Sequence, residues 1–277
     1  MRGPALPDAL LAAVPDLRDA AWSRLPGLSG GAWRADVRRG PTCVVRGAEP
    51  LEVGATRCAA SLRVGPTVRG AAEGWLVTEH VAGPHVGTLE LSRPTVLDEV
   101  AHLLYRWHRA PLEAPPRPLH VAREVYRERA RMADPGLAQA LAPWDAAAGR
   151  CEVDLLGRPS GAVTGHLDVA ANLLRTPDGL RLIDFEYVAA ADPNRELGQL
   201  VWEAELSDAS ARRLTEAYWR PVGDAARQLL DVAAWAFVTG VTWTLWGAGN
   251  PGLALWTRRS AERLRRHWTR AALDDTP

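Results

Sequence analysis

The stretch "TGHLDVAANLLRTPDGLRLIDFEY", Thr164 to Tyr187, decides how this chain is read. Two short apolar runs, at 173–174 and 180–183, flank the turn signal "RTPDG" at 175–179. That is the pattern of a β-hairpin. In such a hairpin Asn172 and Asp184 lie at one end, and Asp168 sits in the loop just before it. Two carboxylates and an amide oxygen at strand ends make a hard-oxygen site. Magnesium prefers such ligands and completes its shell with waters and phosphate oxygens. An aspartate not used by the metal can orient a hydroxyl nucleophile and accept its proton, as phosphoryl transfer requires. A plainer reading stands beside this one: Asp168 caps the segment that follows it, and Asp184 is a turn residue.

Upstream, residues 8–22 read as a helix, with Leu10, Leu11, Val14, Leu17 and Ala20 near a 3.6-residue period. "LPGLSGGAWRADV" reads as a glycine turn entering a strand, "TCVVRG" as the next strand and "GWLVTEHVAG" as a third, stopped by Gly83 and Pro84. Between them "LEVGATRCAASLRVG" is ambiguous between turn and helix. The character then changes. "PTVLDEVAHLLYRWHRAPL" carries Val96, Val100, Leu103, Leu104 and Trp107 on one helical side. Helices follow at 119–132 and 135–148, short strands at 173–175 and 180–184, and helical text rich in tryptophan from 195 onward. The pattern predicts two lobes: residues 1–82, strand-rich, and residues 83–277, mostly helical, with a hinge near 79–84.

The 277 residues carry 33 Lys plus Arg and 33 Asp plus Glu, so no global field draws the chain to nucleic acid or an anionic membrane. Three widely spaced cysteines, Cys43, Cys58 and Cys151, form no metal-ligand or redox pair in sequence, which suits a cytoplasmic setting. Pro7, Asp8, Pro15 and Asp16 make the first residues a poor signal peptide. From Val232 to Thr257 no charge occurs, but threonines, glycines, Asn250 and Pro251 dilute the run. It reads as a buried helix rather than a membrane span.

"GHLDVAANLL" and "LRLIDFEYV" resemble the catalytic and metal-binding loops of the choline/ethanolamine kinase and aminoglycoside phosphotransferase superfamily, with the thiamine kinase-like branch closest. The resemblance implies an α+β, protein-kinase-like two-lobe fold with a small strand-rich N-terminal lobe and a larger helical C-terminal lobe. It implies ATP and Mg2+ as cofactors and a small-molecule alcohol as substrate. Asp168 would be the catalytic base, and Asn172 and Asp184 the magnesium ligands. "ADPNREL" at 191–197 resembles the segment whose acid, here Asp192 or Glu196, braces the catalytic loop. "LSGGAWR" at 28–34 stands where the family has its glycine-rich loop, so Gly30 and Gly31 would approach the phosphates. Arg46 stands for the basic residue on the strand, with Glu52 as its helix partner. Backbone groups around Glu79, His80 and Val81 would meet the adenine, and His108 would be structural. In one respect the chain departs from the family: Asp168 and Asn172 are one residue closer together. The loss is expected to fall in the small-residue run "VAA", with Asn172 held by its strand.

Twelve tryptophans mark the chain, and Trp202, Trp219, Trp235, Trp243 and Trp246 lie in the helical half. Most are expected in the core, with one or two facing the acceptor. An indole face stabilises a cation by about 0.5–2 kcal/mol, and Glu186 and Glu203 could add negative charge. The expected acceptor is thus a small cationic alcohol of choline, ethanolamine or thiamine type. An aminoglycoside, or nucleotide binding without catalysis, are the alternatives. The basic run "RRSAERLRRHWTR" at 258–270 reads as solvated surface.

Overall fold

The structure, a computed structural model, describes residues 3–26, 31–158 and 161–270, without the side chains of 265–270. It divides into two units. The first comprises Met1–Val86, Arg109–Ala114 and Ala171–Val188; the second comprises Gly87–His108, Pro115–Ala170 and Ala189–Pro277.

The first unit is built on an antiparallel sheet of β1 (Ala21–Arg24), β2 (Trp33–Asp36), β3 (Cys43–Gly47), β4 (Val68–Ala72) and β5 (Trp75–Glu79), in the order β1-β2-β3-β5-β4. Strand alternation sends Cys43 and Val45 into a core with Leu10, Val14, Leu17, Ala35 and Val77. Val44 and Arg46 therefore take the other face. The ambiguous segment is helix α2 (Pro50–Ser61), opened by a proline at its first turn, where no N–H partner is lost. The helix expected over 8–22 is shorter. It runs as α1 (Asp8–Ala13), passes into a 3-10 turn at Pro15–Asp19, and Trp22 pairs in β1. Pro15 has no N–H to continue an α-helix.

The deciding stretch forms the expected hairpin. β7 (Leu173–Thr176) pairs with β8 (Gly179–Leu182), Leu173 opposite Leu182. The Ile183 N–H donates to Asn172 O at 3.0 Å, so Asn172 and Asp184 end the ladder together. The hairpin also straps the chain after β5: Arg175 N–H donates to Pro84 O at 3.0 Å and Val86 N–H to Leu173 O at 2.9 Å. A side chain at Gly83 would meet the Arg175 carbonyl oxygen at 1.9 Å, so only glycine lets the two backbones approach. Gly83→Ala should therefore cost about 1–3 kcal/mol in urea unfolding. Gly87→Ala, where a methyl meets nothing within 4 Å, should change stability by less than about 0.5 kcal/mol; equal effects would refute the close-approach account.

The second unit is helical. It contains α3 (Thr88–Leu91), α4 (Pro94–Trp107), α5 (Leu119–Ala133), α6 (Pro135–Leu156), α7 (Pro193–Glu203), α8 (Asp208–Trp219), α9 (Ala225–Ala248) and α10 (Ala254–Arg270). A two-stranded ribbon of β6 (Val163–Gly165) and β9 (Ala189–Ala191) completes it. α9 is long and apolar enough to cross a membrane by length and composition. In the fold it is the central helix, packed on α5, α6, α7, α8 and α10. α7 crosses it closely because Gly240 has no side chain to collide with the Trp202 ring, which would lie at 2.6 Å from a Cβ. In the basic run, Arg258 and Arg259 are exposed, as expected, while Arg263 is buried.

Candidate active site

In the first unit Arg46, Glu52 and Asp184 come together. The Arg46 guanidinium sits between Glu52, the first-turn acid of α2, and Asp184, whose Oδ1 lies 3.2 Å away. Burial is the largest influence on Glu52 and pushes its carboxyl above the usual range, against the pull of Arg46. Asp184 adopts a left-handed backbone, φ 63°, which costs a non-glycine residue roughly 1–3 kcal/mol. Its Oδ1 is enclosed without an aligned hydrogen-bond donor. Asn172 is buried, and its backbone oxygen accepts from the N–H of Ile183, the residue before Asp184. Among the described residues no three His, Cys, Asp or Glu side chains cluster as a metal site. An enclosed carboxylate oxygen and an amide oxygen do fit a magnesium ion whose remaining positions are filled by phosphates and water.

Gly31 is exposed just before β2, in the connection from β1, and Gly30 lies outside the described residues. In the expected hinge, Glu79 N–H donates to Thr67 O and His80 N–H to Thr42 O, both at 2.8 Å.

Asp168 belongs to the second unit, in the loop after β6. The loop turns through Leu167, φ 61°, and residues 169–171 form a turn. Two side chains of α7 hold it. The buried Glu196 carboxylate accepts from His166 N–H at 2.8 Å and Leu167 N–H at 2.6 Å. Gln199 Nε2 donates to Leu167 O at 2.6 Å. Glu196 is hydrogen-bonded in turn to His108 Nε2, and His108 Nδ1 to the Tyr218 hydroxyl at 2.7 Å. Burial would raise the Glu196 pKa, but the His108 hydrogen bond and charge, His166 and the Leu167 N–H prevail and hold it below its ordinary value. Of the two candidate braces, Glu196 grips the loop. Asp192 instead caps α7, accepting from Asn194 N–H at 2.8 Å, and receives Trp235 Nε1 at 3.3 Å. His108 is structural, as expected.

The same unit holds a cavity of about 190 Å³ lined by Trp202, Glu203, Glu205, Trp243, Trp246, Trp256 and Arg263. Trp243, Trp246 and Trp256 meet edge to face in series, with centroids 5.9 Å and 6.1 Å apart. Arg263 lies over the Trp202 ring at 4.2 Å and pairs with Glu205 at 2.8 Å. Trp219 and Trp235 do not line it; their N–H groups bond to Asn194 and Asp192. Glu186 belongs to the first unit and does not line it either. Gln199, Trp256 and Arg263 escaped the sequence reading. The signal for Gln199 was its place one turn after Glu196 on the same helix face.

No protein-family model matches the sequence, and no curated protein matches it. Solved structures do. A choline/ethanolamine kinase family protein from Mesorhizobium loti is 21% identical at TM-score 0.74, over 95% of this chain and 96% of that one. The choline kinase LicA from Streptococcus pneumoniae, also solved with AMP, is 16% identical at TM-score 0.72, over 94% and 98%. An aminoglycoside phosphotransferase from Alicyclobacillus acidocaldarius is 16% identical at TM-score 0.61, over 98% and 96%. The chain thus has the two-lobe α+β fold of the choline/ethanolamine kinases and aminoglycoside phosphotransferases. Within it, the likeness to the two choline-side structures exceeds that to this aminoglycoside phosphotransferase.

Proposed function

We propose that the chain is an ATP-dependent phosphotransferase that transfers the γ-phosphate to the hydroxyl of a small cationic alcohol. The observation that carries this reading is the tryptophan-walled cavity with Glu203 at its side, in the unit that bears Asp168. Indole faces and a carboxylate are what an ammonium group seeks on leaving water. In this reading Asp168 accepts the acceptor's hydroxyl proton. Glu196 and Gln199 fix the loop that carries it, and Arg46 pairs with the nucleotide phosphates. Asn172 and Asp184 would hold Mg2+, which supplies charge neutralisation for the phosphates. The three cysteines are free, which supports a cytoplasmic setting.

The test is magnesium-dependent ATP consumption against choline, ethanolamine, thiamine, aminoglycosides and sugar alcohols. Turnover is expected with a cationic alcohol, and turnover confined to neutral sugars would refute the acceptor class. A second reading, nucleotide binding without turnover, draws on the short Asp168–Asn172 spacing, since a displacement of about 1 Å can cost a hundredfold in rate. Calorimetry showing magnesium-dependent ADP binding, with no phosphorylated product across the panel, would favour it.

A further inference from the structure

The charges around the cavity do not contribute equally to an incoming cation. Arg263 and Glu205 are paired with each other, and the Arg263 guanidinium covers the Trp202 face. That pair is close to neutral, and one indole face is already occupied. What remains for an ammonium group is Glu203 with Trp243, Trp246 and Trp256.

Glu203 is held in an unfavourable place for a charge. It is half-buried, and it lines the cavity. On its own helix, Gln199 Nε2 donates to its Oε1 at 2.8 Å, and Glu196 adds like charge. From the catalytic loop Asp168 adds more like charge, and from α9 Trp243 brings an N–H close without a fully aligned hydrogen bond. α10 contributes Arg263, which pairs with Glu205. Burial first, then repulsion from Asp168, outweigh the Gln199 and Trp243 contacts and push the Glu203 carboxyl up to about 8. Near neutral pH it is therefore mostly the uncharged acid, and a neutral acid attracts a cation weakly.

We infer that binding of the cationic acceptor is proton-coupled: Glu203 releases its carboxylic proton to solvent as the ammonium group enters, and the carboxylate left behind pairs with it. The inference rests on the acceptor class proposed above. The O–H bond of the acid breaks, the proton passes to buffer, and no other group changes charge. Gln199, already donating to Glu203, then bonds a charged oxygen while its other N–H bond stays on the Leu167 carbonyl. An occupied cavity is thereby tied to the loop that carries Asp168.

The test is calorimetric titration of the full chain with choline chloride at pH 7, in phosphate and in Tris. The two buffers differ in protonation enthalpy, so the difference in apparent enthalpy counts protons. Net proton release on choline binding is expected at pH 7 and should decline as pH rises through about 8, with choline bound more weakly at pH 7 than at pH 9. Glu203→Gln should bind choline with no release and a flat pH profile. Choline binding to the wild type with equal enthalpy in both buffers overturns the inference and leaves the acceptor class standing. Release that persists in Glu203→Gln overturns the assignment to this residue. Failure of both choline and tetramethylammonium to bind overturns the inference together with the acceptor class.

Discussion

Asp168→Asn is expected to lower kcat by about 100- to 10,000-fold, the range over which a positioned general base acts. The amide keeps the size and can still accept a hydrogen bond from the acceptor hydroxyl, but it cannot take the proton. The effect should fall on kcat, because the change removes an interaction needed in the transition state rather than one that binds substrate. Nucleotide affinity should change by less than about twofold, because the reading gives Asp168 the acceptor's proton and no nucleotide contact. Steady-state kinetics with the best acceptor from the panel, paired with ADP calorimetry, would separate the two. Wild-type kcat in Asp168→Asn would remove Asp168 from the chemistry. A large loss of ADP affinity with unchanged kcat would place it on the nucleotide instead.

The residues proposed for this chemistry differ in how openly the sequence announced them. The hairpin was legible because turn residues and two apolar runs sit at fixed spacing, and one backbone bond, Ile183 to Asn172, then aligns Asn172 with Asp184. β3 and β5 were legible through Val44, Val45, Leu76 and Val77. β9 was not, because it is three alanines, Ala189–Ala191, with no strand preference of their own; pairing with β6, together with the Ala190 N–H bond to Pro115 O, makes them a strand. β1 was hidden inside a helical period that Pro15 cuts short. Glu52 was legible only as an acid in an ambiguous segment, and its role as the Arg46 partner depends on α2 bringing it to the strand. The cavity was the least legible part. Its walls come from α7, α9 and α10, and no local pattern says which tryptophan of a buried helix faces a void and which faces a neighbour. Trp202 and Trp243 reach the cavity, whereas Trp235, on the same helix as Trp243, is used up against Asp192.

Glu196→Ala is expected to destabilise the fold by about 3–5 kcal/mol, the loss typical of removing one partner from a buried charged network. Its carboxylate serves three groups at once, the His166 and Leu167 N–H groups and His108, and all three would be left in the interior without it. Against a total stability of about 5–15 kcal/mol this is a large fraction. The loop is also strained at Leu167, φ 61°. Such strain persists only where the surroundings over-determine it. Here Glu196 grips the loop by its N–H groups, and Gln199 by the Leu167 carbonyl. Without the carboxylate the loop should relax toward an ordinary backbone and carry Asp168 away from its working position. Activity should then fall even at temperatures where the variant is folded. Glu196→Gln keeps one acceptor oxygen for the two N–H groups and should recover part of both losses. The pH dependence has a definite sign. Glu196 is held below its ordinary value of 4.5 in the folded chain, so its stabilising contribution is complete above that value and is lost as pH falls through the lower, folded one. Urea unfolding of wild type and Glu196→Ala at pH 7 and again below pH 4 should therefore show a gap that is wide at pH 7 and narrower in acid. A gap that is small at pH 7, or one that widens in acid, would mean that the carboxylate is not what holds the loop that carries Asp168.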